Sequence, residues 1–154
     1  MKQKPIAACL SVILESLELP LPTPLHSHIG VATSLLEGIK VLATASSPQS
    51  IPLTMLSAHA LECTLKSYLS KFLGEKALLQ PELRHDLNRL WSLAHEKGLD
   101  ISEEIPEWVS ILSELHKSPY YLRYAKGIHA LRTPALEPMV SDLEGLVKFV
   151  RAQL

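Results

Sequence analysis

The sequence predicts an all-α protein, an antiparallel up-and-down bundle of about four to five helices, and three observations lead there. Apolar residues recur at three- and four-residue steps through most of the chain, and no stretch shows the strict alternation of a half-buried strand. Hydrophobic residues make up 47% of the 154 positions with only two Phe and two Trp, a mixture that suits aliphatic helix packing better than an aromatic-rich sheet. Most prolines, with Gly74 and Gly98, fall between the periodic segments, where helices begin and end.

Taken in order, Ile6 to Leu19 can form a short amphipathic helix, after which Pro20, Pro22 and Pro24 force an extended path. Residues 1–24 therefore read as an N-terminal arm, and residues 25–154 as the bundle domain. Met1 to Pro5 followed by Ile6 to Leu14 has a faint secretory look, but no A-x-A-like site follows before Glu15 and Glu18. The first bundle helix is expected from about Leu25 to Ala45, with Ile29, Ala32, Leu35, Leu36, Ile39, Leu42 and Ala43 on its buried stripe. Ser46 to Pro52 is turn-forming. A second helix is expected from about Leu53 to Leu73, with Leu61, Leu65, Leu69, Phe72 and Leu73 on one face and Gly74 as a left-handed stop. Glu62 and Lys66 stand in the favourable order for a surface pair one turn apart.

The third helix is expected from Pro81 or Glu82 to Lys97, with Leu83, Leu87, Leu90, Trp91 and Ala94 inward and Gly98 ending it. A fourth begins at Pro106 and runs to about Lys117 on Trp108, Val109, Ile111, Leu112 and Leu115. The last runs from about Pro134 to Gln153 on Leu136, Val140, Leu143, Leu146, Val147 and Val150.

Composition narrows function. A net charge of −1 and a pI near 6.6 argue against a globally basic nucleic-acid binder, so any anion site must be local. Cys9 and Cys63 stand alone, which indicates neither a zinc site nor a disulfide framework and suggests a reducing, cytoplasmic setting. No apolar run approaches the roughly 20 residues that cross a bilayer, so no membrane partner is expected. His26 and His28 are two apart and share no helix face, and His95-Glu96 does not continue as HExxH. Neither a metal nor any cofactor is expected. Phosphate loops, nucleophile elbows and dinucleotide turns are missing too.

One segment stands out electrostatically. From Leu115 to Leu136 the chain carries Lys117, Arg123, Lys126 and Arg132 with no carboxylate over 22 residues, a cationic corner that would attract phosphate. Tyr120, Tyr121 and Tyr124 can stack on bases beside those cations or pack as lids over the core. Those charges can equally be balanced by neighbouring helices, with Arg123 pairing a carboxylate such as Glu62. His85 can join a site with Arg84 and Arg89, or help Asp86 order a helix start, where the macrodipole favours a carboxylate.

Three blocks, His59-Ala60-Leu61-Glu62-x-x-Leu65-Lys66-x-Tyr68-Leu69, Arg84-His85-Asp86-Leu87-x-x-Leu90 and Tyr121-Leu122-Arg123-Tyr124, together resemble the HEPN domain (higher eukaryotes and prokaryotes nucleotide-binding) over roughly residues 25–154. The resemblance implies a HEPN-like bundle, commonly a homodimer, with Glu62, Lys66, His85 and Asp86 as motif residues. Catalytic members of that superfamily are metal-independent ribonucleases with an Arg and a His four to six residues apart, a spacing that Arg123 and His129 have. Cleavage through a ribose 2′-hydroxyl needs a group to take its proton, a donor for the leaving oxygen and a cation facing the phosphate. His129 and Arg123 suit the first and last of these. Tyr124 stands where the catalytic pattern carries a small polar residue, and Arg123-Tyr124 is similar to the Arg-Tyr step of non-catalytic relatives.

The first expectation is therefore a non-catalytic binding or partner module. Lys117, Tyr121, Arg123, Tyr124, Lys126 and Arg132 would receive a nucleotide, RNA or an acidic partner surface. The resemblance admits a nucleotidyltransferase or an antitoxin as protein partner. The second expectation is a ribonuclease, such as the toxin of a toxin–antitoxin pair, acting through Arg123 and His129.

Overall fold

The computed structural model describes residues 24–46, 49–124 and 130–154; the proposed arm falls outside these apart from its last residue, and Lys126 and His129 lie outside them as well. Described residues form seven helices and no strand: α1 (Pro24–Ala43), α2 (Ser50–Leu69), α3 (Glu75–Leu78), α4 (Pro81–Arg84), α5 (Leu87–Glu96), α6 (Glu107–His116) and α7 (Leu136–Arg151). The protein is an all-α bundle whose five long helices are the five expected, with α3 and α4 as single turns between α2 and α5.

Helix α2 is the axis of the bundle and packs against α1, α5, α6 and α7. Every residue from Ala60 to Leu69 is buried, including Glu62, Thr64, Lys66 and Ser67. A helix enclosed on all sides must satisfy its own polar groups, and Thr64 does so by donating its hydroxyl to the Ala60 carbonyl at 2.7 Å. The sequence suggests one buried face and a helix running to Leu73. Instead α2 begins three residues earlier, with Pro52 in its first turn, and ends at Leu69, leaving Phe72 exposed. Gly74 is no left-handed stop either: its φ of −68° is extended, and it opens α3.

Around this axis the helices run in antiparallel pairs. On α1, Ile29, Ala32, Leu36 and Ile39 face the core. Ile29 and Thr33 lie beside Arg151 and Leu154 at the far end of α7, and Lys40 pairs with Glu144 at 2.7 Å, so α1 and α7 run in opposite directions. Helices α5 and α6 are also antiparallel. Asn88 near the start of α5 meets Ser113 near the end of α6, and Trp91 packs edge-on against Trp108 at 6.4 Å. No described helix is long and apolar enough to cross a membrane.

Two breaks between helices shape the region around Glu62. After α5, Gly98 adopts φ 90°, the Gly98 amide donates to the His95 carbonyl and the Leu99 amide to that of Ala94, closing a Schellman turn as the sequence suggests. The other break splits the helix expected over Pro81–Lys97 at His85 and Asp86. Asp86 caps α5 by accepting the Arg89 amide at 3.1 Å. The Arg84 carbonyl, which a continuous helix would offer to Asn88, accepts Lys66 Nζ at 2.8 Å instead, while the Asn88 amide donates to Ser113 Oγ at 3.2 Å. A tertiary donor has taken the helix's own acceptor, and the chain turns there.

Because α2 is the shared wall of the bundle, truncating it should cost more than truncating an outer helix. Leu65→Ala is expected to lower the unfolding free energy by about 2–5 kcal/mol. Val41→Ala, at a position 71% exposed on α1, should change it by no more than about 0.5 kcal/mol. Urea unfolding of both variants, followed by circular dichroism, checks the contrast.

Candidate functional site

The site is built around one carboxylate. Glu62 lies in the enclosed stretch of α2 at 5% exposure, and Lys66, one turn on, at 3%. The surface pair expected from their spacing is therefore a buried ion pair, in which Lys66 Nζ donates to Glu62 Oε1 at 2.6 Å. The other oxygen, Oε2, accepts two imidazoles: His85 Nδ1 at 3.0 Å from the break before α5, and His116 Nε2 at 2.5 Å from the end of α6. An ionised carboxylate can only accept, so both of those ring nitrogens carry hydrogen. Three chain segments are thereby tied to one side chain, and Lys66 spends a further N–H on the Arg84 carbonyl.

Burial opposes the Glu62 charge and by itself would raise its pKa. The hydrogen bond from His116, the charge and hydrogen bond of Lys66 and the hydrogen bond from His85 outweigh it, holding the carboxyl well below its usual range. Such a pair is stable only while complete; removing one partner of a buried ion pair costs about 3–5 kcal/mol.

Further groups border the hub. His59, one turn before Cys63 on α2, has its ring 6.4 Å from that of His116, and its buried Nδ1 has no hydrogen-bond partner among the described residues. Burial pushes the His59 pKa down; the Glu62 charge opposes this, while His116, Arg123 and Lys66 reinforce it. His28 of α1 is lowered too, first by burial and then by Lys66, against Glu62 and Glu75. Cys63 is buried, and burial followed by the nearby Glu62 charge pushes its thiol up to about 12 despite Lys66, so it stays protonated and inert. His59, Glu62 and His116 bring donor atoms within 4.8 Å of one another, a set that could hold a metal ion and that their spacing in the sequence does not suggest. The fit is poor, because the Lys66 ammonium already supplies the positive charge beside that carboxylate.

Toward solvent the hub opens through His85 into a cavity of about 340 Å³. Pro81, Glu82, Arg84 and Asp86 line one side, and Lys117, Ser118 and Tyr120 the other. The Tyr120 ring stands edge-on to His85 at 5.7 Å, and Arg123 lies over the Tyr120 ring at 5.8 Å. Tyr120 has φ 62°, a left-handed conformation that is costly for an aromatic residue. Its amide donates to the Lys117 carbonyl, and its carbonyl accepts the Arg123 and Tyr124 amides, so the turn is held at both ends.

The residues expected to bind phosphate divide. Lys117 lines this cavity and pairs with Glu114 at 2.7 Å, and exposed Arg123 stands beside the cavity on Tyr120. Tyr124 packs edge-on against Tyr120 and is largely exposed. Tyr121 and Arg132 face a different groove, along the outer side of α6 with Ile111 and Glu114, and Arg132 pairs with Glu107 at the opposite end of α6 from Lys117. A single corner holding Lys117, Arg123 and Arg132 is therefore not formed: α6 supplies acids at both ends, and each takes a neighbouring cation. Lys126 and His129 lie outside the described residues, and the geometry of an Arg123–His129 pair with them. The alternative pairing of Arg123 with Glu62 is not observed, since that carboxylate is held by Lys66, His85 and His116.

Conversely, the motif residues Glu62, Lys66, His85 and Asp86 are brought together, and His116, which carries no local sequence signal, completes them. The sequence names Arg84 only as a neighbour of His85, yet its side chain lines the cavity with no carboxylate partner among the described residues. No family model, curated protein or solved structure matches the chain.

The hub dictates how stability varies with acidity. His28 and His59 are held below the ordinary imidazole value of 6.5, so the unfolded chain takes up those protons first and stability falls as the pH drops below 6.5. Glu62 is depressed from 4.5; its contribution is complete above that value and is lost progressively below it, toward its folded-state value. The melting temperature should therefore fall in two stages on acidification. Glu62→Gln should lower stability at pH 7 by about 3 kcal/mol and flatten the stage below 4.5. An unchanged melting temperature for that variant at pH 7 would refute the assignment.

Proposed function

We propose that the chain is a HEPN-like helical module that binds a phosphate-bearing ligand, a nucleotide or RNA, at the mouth above Glu62. The observation that carries this reading is that Arg84 and Lys117 line the cavity with His85 and Tyr120, beside Glu82 and Asp86, while Arg123 lies over the Tyr120 ring. Arg84 and Arg123 have no carboxylate partner among the described residues, so their donors are available to an anion. Guanidinium groups suit phosphate because their planar fork offers two parallel N–H bonds. The exposed ring of Tyr124, packed against Tyr120, offers a stacking face near Arg123. Meeting of the Glu62, His85 and Arg123 blocks at one place, although they are far apart in the chain, supports the HEPN resemblance as well.

A phosphate site of this kind has a salt signature. Binding of a fluorescein-labelled single-stranded RNA, followed by anisotropy, should weaken as salt rises. Each cation removed should reduce the magnitude of the log–log slope by about 0.7. Arg84→Ala combined with Arg123→Ala should weaken binding at least about tenfold at low salt, whereas Arg132→Ala, already paired with Glu107, should do little. Equal affinities for the wild type and the double variant would overturn the proposal.

A further inference from the structure

We propose that residues 6–19 form one more helix of the bundle and dock along the outer face of α1, in the groove that α1 shares with the end of α7. The segment lies outside the described residues. Its sequence and the surface that the described helices leave open fit each other.

The face of α1 turned away from the core is bare. Among its described exposed positions, Gly30, Val31, Ser34, Glu37, Gly38 and Val41, Glu37 alone carries a charge. Helix α7 exposes Glu137, Asp142, Lys148 and Arg151 over a shorter length. A solvated helix face ordinarily carries charges as α7 does, and one that lacks them marks a contact surface. Gly30, Ser34 and Gly38 fall at four-residue steps, and a Cβ at either glycine would meet no neighbouring segment within 4 Å. They leave a channel along α1 into which large side chains fit. Where the channel meets α7 it deepens into a cavity of about 410 Å³ between Ile29, Gly30, Thr33, Ser34, Arg151 and Leu154.

Residues 6–19 carry what this channel lacks. Ile6, Leu10, Ile13, Leu14 and Leu17 make one apolar stripe at helical spacing. A lone helix of about 14 residues is marginal in water, so the stripe needs a surface to form on. Its place in the chain says which surface. Only Pro20 to Thr23 separate the segment from α1. Extended, that connection spans about 12 Å, enough for the roughly 8–10 Å between packed helix axes and for the reversal of a helical hairpin. Run antiparallel to α1, the segment brings Leu14, Leu10 and Ile6 level with Gly30, Ser34 and Gly38, so each large residue meets a small one. The charges agree as well. Glu18 falls at the end of the channel where Arg151 stands without a carboxylate partner among the described residues, and Lys4 falls toward Glu37 at the other end.

Cys9 comes level with Ser34 and Leu35 in this register and supplies the test. The full chain carrying Ser34→Cys is treated with a short bismaleimide at low protein concentration and the products are mapped by mass spectrometry. Cys63 is buried, with its thiol pushed up to about 12, and does not compete. The comparison is Leu79→Cys, at an exposed position after α3, whose Glu75 lies near His28 of α1. The expected result is a link within one chain between Cys9 and position 34, formed at least about tenfold faster than the link to position 79. Leu10→Asp with Ile13→Asp breaks the stripe, and Gly30→Arg with Gly38→Arg fills the channel; neither pair touches the described core, and each should abolish the preference. Equal rates at positions 34 and 79, or a preference that survives both pairs of substitutions, would overturn the proposal. A link running mainly between chains at position 34 would overturn it too and assign the face to a second copy.

Discussion

Three N–H donors from separate parts of the chain, Lys66, His85 and His116, converge on the carboxylate of Glu62 in the most enclosed stretch of the molecule. Leaving that charge buried without them would cost several kcal/mol, so the fold is bound to keep α2, the α4–α5 break and the end of α6 in contact. Packing of Leu, Ile and Val holds the helices together but is tolerant of small shifts; hydrogen bonds to one carboxylate are not. The ion pair therefore sets the register in which the aliphatic helices meet.

The mouth arises from the same interaction. Because Lys66 also captures the Arg84 carbonyl, the chain turns at His85 and Asp86 and does not continue as one helix, which leaves a concavity with Arg84 on its rim. Asp86 then starts α5 afresh, and Ser113 of α6 bridges the junction by donating to Asp86 Oδ1 while accepting the Asn88 amide. On the other side, the end of α6 delivers Lys117, and the turn through Tyr120 brings Arg123 over the Tyr120 ring. A buried charge, a broken helix and a rim of mixed charge are one connected construction, with His85 as the only imidazole shared between hub and cavity among the described residues.

Much of the bundle is legible in the sequence because helical periodicity and chain punctuation are local: the five long helices and the Gly98 stop declare themselves within a few residues. What escapes is what tertiary structure decides. Glu62 and Lys66 at this spacing read as an ordinary surface pair, although the neighbourhood holds a warning: between His59 and Lys71 no other charge occurs, and the intervening positions are small or aliphatic apart from Tyr68. The split of the third helix depends on a lysine 18 residues away, and His116 on a carboxylate 54 residues away, separations no local pattern reports. The basic segment misleads for the converse reason. Lys117 and Arg132 lie in a run without acids, yet Glu114 and Glu107 of the preceding helix pair with them in space, so charge counted along the chain overstates the charge presented together.

Nitrogen-15 NMR of the imidazole rings at pH 8 tests the central claim most directly, because it reads which ring nitrogen carries hydrogen. The account predicts His85 protonated on Nδ1 and His116 on Nε2, both hydrogens protected from exchange with solvent, and both protections lost together in Glu62→Gln. A His85 ring with its hydrogen on Nε2, or protection that persists without the Glu62 charge, would contradict it.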